Sequence, residues 1–214
     1  MSALTVFVDV DTQVDFVDPR GALYVAGCET ILPNIRALLE HASRFGITTI
    51  SAMCAHVVND AGFRQLAPHC IEGTPGHRRY FDDLPRLPRH VWPSSALITP
   101  RDLEVRVGHH YVVQKRTFPM FANPWMDALR RRGAIGEFDA VVFGVATDVS
   151  VRADVLDLCA AGARVRVVED AIAGLEPGDA ERSLGEMIGS GARLVATAEI
   201  LRSVRGVPAP DRWC

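Results

Sequence analysis

Phe143-Gly144-Val145-Ala146-Thr147-Asp148-Val149-Ser150-Val151 runs from an apolar strand through a glycine into a turn and then a helix. Upstream, Ala140 to Val145 is an apolar run of the kind that fills a buried parallel strand. Downstream, Asp148 to Ala161 carries Val151, Val155, Leu156 and Leu158 at helical spacing. Ser150 therefore falls in the first turn of a helix. Unpaired N–H groups there, with the positive end of the helix dipole, favour a developing oxyanion or a thiolate.

The same unit recurs along the chain. Thr5 to Val10, Ile47 to Met53, Tyr111 to Gln114 and Ala163 to Val168 read as further strands, alternating with helical segments, and a short strand at Arg193 to Ala196 and a helix from Thr197 follow. One helix buries Ile31, Ile35, Leu38, Leu39 and Ala42 and ends before Gly46; later ones start near Pro124, Asp148 and Pro177. The pattern predicts an α/β fold of three layers, α/β/α, with an open, Rossmann-like parallel sheet of about six strands. Ligands bind such sheets at the carboxyl ends of the strands. Asp11 follows strand one, Cys54 and His56 strand two, Lys115 strand three and Ser150 strand four, so all would line one crevice. Phe81 to His110, with prolines at 85, 88, 93 and 100, is too long for an ordinary connection and reads as a covering loop at a subunit contact.

Composition narrows the function. The 214 residues, 48% of them hydrophobic, fit a single domain over 1–214. A formal charge of -3 argues against nucleic acid or an anionic membrane surface as partner. Arg130-Arg131-Arg132 reads as a solvated helix end. Met1 to Phe16 has no positively charged opening and reads as a first strand, which points to the cytoplasm. The five cysteines show no Cys-x-x-Cys spacing and read as reduced thiols, with Cys28, Cys159 and Cys214 structural or at the surface.

The Ser150 segment resembles the nucleophile segment of the isochorismatase-like cysteine hydrolases, whose nicotinamidase-related branch reads Gly-Val-Ala-Thr-Asp-x-Cys-Val. Ser150 stands at the cysteine position. The resemblance extends through Asp11-Thr12-Gln13-Val14-Asp15-Phe16, Pro68-His69-Cys70, Gly73-Thr74-Pro75-Gly76, Lys115-Arg116 and Glu169-Asp170-Ala171-Ile172. It implies a small-amide hydrolase, homo-oligomeric, with a catalytic triad of Asp11, Lys115 and the residue at 150. The carboxylate would take the nucleophile's proton and deliver it to the leaving amine, while the lysine favours the ionised forms. The backbone N–H groups of Ala146 and Ser150 would form the oxyanion hole beside a cis peptide.

Serine is the departure. A hydroxyl titrates far above a thiol, whose unperturbed pKa is about 8.5, so a thiolate-making environment leaves serine protonated and slow. Three accounts stay open: a serine introduced to trap substrate, a natural weak nucleophile, or a site that no longer uses covalent chemistry. Isochorismatases resemble this fold but split an enol ether without the cysteine, which keeps an enol-ether hydrolase with Asp11 as acid in view, beside a non-catalytic binding relative.

Cys54, His56 and His69 fall where nicotinamidases hold a divalent metal, with cysteine replacing an aspartate; they form a reasonable Zn²⁺ ligand set with an open position. No further histidine follows His56 through Gly62. The resemblance makes Phe16 an aromatic wall against the substrate ring and puts Leu66 where nicotinamidases usually carry tryptophan. Phe118 and Phe121 are candidates for further walls. His77, His109 and His110 lack ligand spacing and read as surface residues. Gly73 to Gly76 lacks the Lys-Ser/Thr ending of a phosphate loop and reads as a turn.

Overall fold

A computed structural model describes residues 3–64 and 66–205; Cys214 lies outside them. β1 (Leu4–Val10), α1 (Val14–Val17), α2 (Cys28–Phe45) and β2 (Thr48–Cys54) come first. They are followed by β3 (Arg89–Trp92), β4 (His110–Lys115), α3 (Pro124–Arg131), β5 (Phe138–Val145), α4 (Arg152–Ala160), β6 (Arg164–Ala173), α5 (Pro177–Gly189), β7 (Arg193–Val195) and α6 (Thr197–Ser203). The seven strands form one sheet in the order β3-β4-β2-β1-β5-β6-β7. Every pairing is parallel.

Alternation along the central strands builds the three layers. Val6, Val8 and Val10 of β1 join one core with Trp125, Met126, Leu129, Val155 and Leu158 of α3 and α4. Phe7 faces the other way into a second core with Ile35, Leu38, Leu39 and Ala42 of α2 and Ile200 of α6. The helix stripe expected from Ile31 to Ala42 is the buried face of α2, and Gly46 terminates that helix in the left-handed conformation. Among the described residues, no helix is long and apolar enough to cross a membrane.

The segment expected to be a covering loop contributes the seventh strand. Arg89 to Trp92 pairs with β4 at the sheet edge, and Trp92 stacks on Trp125 at 5.5 Å. Its polar residues and short length hide it from periodicity. A second correction concerns His110, which is fully buried: it begins β4, and its Nε2 lies 2.9 Å from Ser51 Oγ.

The order of strands reverses between β1 and β5, whose connections leave toward opposite edges, and the crevice there receives the chain ends that matter. At Gly144 (φ 119°) β5 presses so closely on β1 that a Cβ would lie 2.1 Å from the Val10 carbonyl oxygen. Only glycine fits this close approach, and the β5–β6 register shifts beside it. The strand thereby delivers the 146–150 turn beside Asp11.

Candidate active site

Lys115 ends β4 opposite Cys54 and is fully buried. Its ammonium donates to Asp11 Oδ2 at 2.7 Å, to Ser150 Oγ at 3.4 Å and to Cys54 Sγ at 3.5 Å. Burial pushes Lys115 down, but Asp11, Cys54 and Asp154 together outweigh it and hold the ammonium above its ordinary value. The other oxygen of Asp11, Oδ1, is buried without a hydrogen-bond partner among the described residues. An unsatisfied carboxylate oxygen in a cleft is poised to accept a proton. Asp154 is a second buried carboxyl near this lysine; burial pushes it up to about 8, so it is largely neutral at pH 7, and its Oδ1 accepts the Met120 N–H at 2.6 Å.

Local backbone fixes these groups. Asp11 leaves β1 in the left-handed region (φ 48°), which aspartate tolerates better than most residues, and its N–H donates to Ala52 O. Gln13, fully buried, accepts the Cys54 N–H at 2.7 Å and donates to Cys54 O at 2.8 Å, tying the end of β2 to the segment after β1. On the far side of Asp11 the Val145–Ala146 peptide is cis. Ala146 O then accepts from both Val149 N and Val151 N, forming one wide helical turn over Thr147–Val151 that places Ser150 at the pocket base.

Cys54, His56 and His69 form a second cluster, with one donor atom from each lying within 4.8 Å of the others. His56 Nδ1 is 2.9 Å from Asp60 Oδ2, and His69 Nδ1 is 2.8 Å from Ala67 O. Each ring therefore spends one nitrogen on an orienting partner and keeps Nε2 for an ion, the usual arrangement of metal-bound histidine. A thiol and two imidazoles so oriented fit zinc. Burial pushes the Cys54 thiol up to about 12, and a bound ion would displace its proton. Sequence reasoning missed Asp60; its only signal is an acid four residues after His56.

The two clusters share a pocket of about 500 Å³. Phe16, tilted against His69 at 5.4 Å, Leu66 and Phe118 line it as expected. Phe121 does not: the short turn Met120–Ala122 turns it into the core beside Trp125 and Met126, and it is excluded as a pocket wall. Leu23, Tyr24, Val25 and Leu175 are walls that the sequence did not reveal. Leu175 is held there by Asp148, whose carboxylate accepts the Leu175 and Glu176 N–H groups at 2.9 and 3.1 Å. The Gly73–Gly76 turn is structural: a Cβ on Gly76 would overlap the Asp15 carboxylate, which accepts the Cys70 N–H at 2.6 Å.

The isochorismatase domain family matches residues 93–199. The chain is 26% identical over 208 residues to the nicotinamidase of Escherichia coli (strain K12), covering 89% of this chain and 93% of that protein. The zinc complex of pyrazinamidase from Pyrococcus horikoshii superposes with a TM-score of 0.68 at 25% identity, covering 90% of this chain and 98% of that one. An isochorismatase-like hydrolase from Alkaliphilus metalliredigens shares the fold, with a TM-score of 0.70 at 23% identity over 94% of this chain and 99% of its own.

Proposed function

The chain belongs to the isochorismatase family, and on that premise we propose that it is a small-molecule amide hydrolase working through an acyl-enzyme on Ser150. The observation that carries this reading is the single lysine bridging Asp11 and Ser150 at the pocket base, with Asp11 Oδ1 left unpartnered.

In this reading Ser150 Oγ attacks the amide carbonyl carbon while Asp11 accepts the hydroxyl proton. The Ala146 and Ser150 N–H groups face the developing oxyanion. The C–N bond then breaks and the amine leaves with the proton held by Asp11. Water, deprotonated by the same carboxylate, releases the acid and returns the proton to Ser150. Lys115 keeps positive charge beside both groups throughout. Cys54, His56 and His69 would hold a zinc ion, which when bound supplies a Lewis acid to anchor a donor atom of the ligand. Beside this ion's place, Phe16 and His69 orient the ring of the substrate. The cysteine spacing supports a cytoplasmic protein; the edge strand β3, with Val91 and Leu97 exposed, supports a homo-oligomer.

Ammonia release from nicotinamide and related amides tests the reading. The serine form should turn over slowly, and Ser150→Cys should raise turnover at least about a hundredfold, or about 2.7 kcal/mol of barrier. Lys115→Ala in the cysteine background should remove most of the gain. Equal rates for serine and cysteine forms would discard covalent chemistry at 150. The serine itself favours a second reading, enol-ether hydrolysis with Asp11 as acid, which pyruvate release from isochorismate would identify.

A further inference from the structure

The pocket is far roomier than a single ring bearing a carboxamide. At about 500 Å³ it lies in the range that encloses drug-sized ligands. Its polar lining is gathered low and on one side: Asp11 and Ser150 at the base, above the buried Lys115, and the Cys54, His56 and His69 cluster beside them. Above them the walls are apolar, formed by Phe16, Leu23, Val25 and Val149. At the rim Leu66, Phe118 and Leu175 are 40%, 51% and 46% exposed. Three apolar side chains converging in water around one opening mark a surface that a ligand covers with profit.

Apart from that cluster, polar lining between base and rim is limited, among the described residues, to Tyr24, Thr117 and Arg116. The hydroxyl of Tyr24 is taken by Glu29, so its ring is what remains for the pocket. Arg116, the only arginine or lysine among the described lining residues, faces Glu72 at 3.8 Å. Glu72 offsets its charge at the opening, so the pocket carries no strong field for a charged ligand. Beside Asp11 the base is tight, because Lys115 lies 2.7 Å from its carboxylate and 3.5 Å from Cys54 Sγ. That corner suits ammonia better than a substituted amine.

We propose that the substrate is an uncharged primary carboxamide whose acyl part is an extended apolar group, two rings or a ring and chain, spanning from Ser150 to the Leu66, Phe118 and Leu175 rim. This rests on the amide-hydrolase reading. The C–N bond breaks, ammonia leaves with the proton Asp11 took from Ser150, and water completes the carboxylic acid.

The test measures ammonia release by the unaltered protein and by Ser150→Cys with nicotinamide, benzamide, 4-phenylbutanamide and biphenyl-4-carboxamide. kcat/KM should be at least about tenfold higher for the extended amides than for nicotinamide. Leu66→Trp, which narrows the rim, should lower the ratio of extended amide to nicotinamide about tenfold. Nicotinamide processed as well as or better than the extended amides overturns the inference, while its ammonia keeps the amide-hydrolase reading. If no amide releases ammonia in either form, the amide-hydrolase reading fails. Calorimetric binding of the same amides to the unaltered protein then decides the pocket's preference: tenfold tighter binding of the extended amides supports it, and equal or weaker binding overturns it.

Discussion

Two carboxylates two residues apart in the chain, Asp9 and Asp11, each pair with a buried cation, and they are built for opposite ends. Asp9 is fully engaged: Oδ1 accepts from Thr12 Oγ1 at 2.5 Å, and Oδ2 accepts from Ser51 Oγ and Arg79 Nη2, both at 2.9 Å. Arg79 Nη1 in turn donates to Leu84 O at 2.6 Å, so the pair ties β1 to the start of the 81–110 segment. Asp11 has Lys115 on one oxygen and, among the described residues, nothing on the other. A carboxylate with both oxygens satisfied makes a structural clamp, even though Arg79 Nε itself has no partner among the described residues, whereas a carboxylate oxygen without a partner leaves proton-accepting capacity facing a pocket. The cations differ too: the Arg79 guanidinium fans its donors over Asp9 and Leu84 O, while the Lys115 ammonium is a compact charge shared by Asp11, Ser150 and Cys54.

The isosteric substitutions Asp11→Asn and Asp9→Asn separate the two roles. Asp11→Asn should lower kcat/KM for an amide at least about a thousandfold, roughly 4 kcal/mol of barrier, because the proton acceptor is gone. Its cost in stability should be the smaller of the two, since Lys115 can release its proton. Asp9→Asn should cost about 3 kcal/mol in urea unfolding, because Arg79 is left as an uncompensated buried charge. Its folded fraction should keep its kcat. Similar stability losses with both variants, or an active Asp11→Asn, would break the comparison.

The placement of the Asp11 corner is legible in the sequence. Lys115 ends an apolar strand, Asp11 directly follows one and Ser150 follows one across a short turn, and in a parallel sheet those positions send side chains to the ligand edge. The clamp was not readable, because its partners come from β2, β4 and a loop and no spacing relates Asp9 to Arg79. His110 lacks ligand spacing and so reads as a surface residue, yet Ser51 gives its ring a buried partner. Phe118 and Phe121 look equivalent as letters. A short turn sends Phe121 into the core and leaves Phe118 at the rim, and such turns lack a period to read. β3 escaped for the same reason, being four residues between prolines.

The clamp side also carries a smaller, pH-dependent effect. Burial, with Arg79 and Arg89 nearby, pushes His110 down to about 2. Its folded pKa lies below the unfolded value near 6.5, so below pH 6.5 the unfolded chain binds a proton that the folded one refuses. Stability is therefore complete above about 6.5 and falls as pH drops, by up to about 1.4 kcal/mol per unit from this residue. Urea midpoints at pH 7, 6 and 5 should show the decline, and His110→Gln should flatten it relative to the unaltered protein. An unchanged slope in the variant would assign the acid sensitivity elsewhere.

The smallest expected effect lies at the metal cluster, which shares Cys54 with the reactive corner through Lys115 and takes its orientation from outside. Asp60 accepts from His56, and that contact together with the Gly62 N–H holds its carboxyl below the usual carboxylate range. An ionised Asp60 fixes the tautomer of His56 with the proton on Nδ1, which directs the Nε2 lone pair toward Cys54 and His69. Asp60→Ala frees the ring to rotate, and zinc affinity measured against a competing chelator should fall at least about tenfold, close to 1.4 kcal/mol. Cobalt in place of zinc should still show thiolate-to-metal absorption, because Cys54 is held by Gln13 through its backbone and not by Asp60. Loss of that band together with the affinity would mean that Asp60 shapes the whole β2 end, and unchanged affinity would mean that His56 is positioned by its packing against Phe63 and His69 alone.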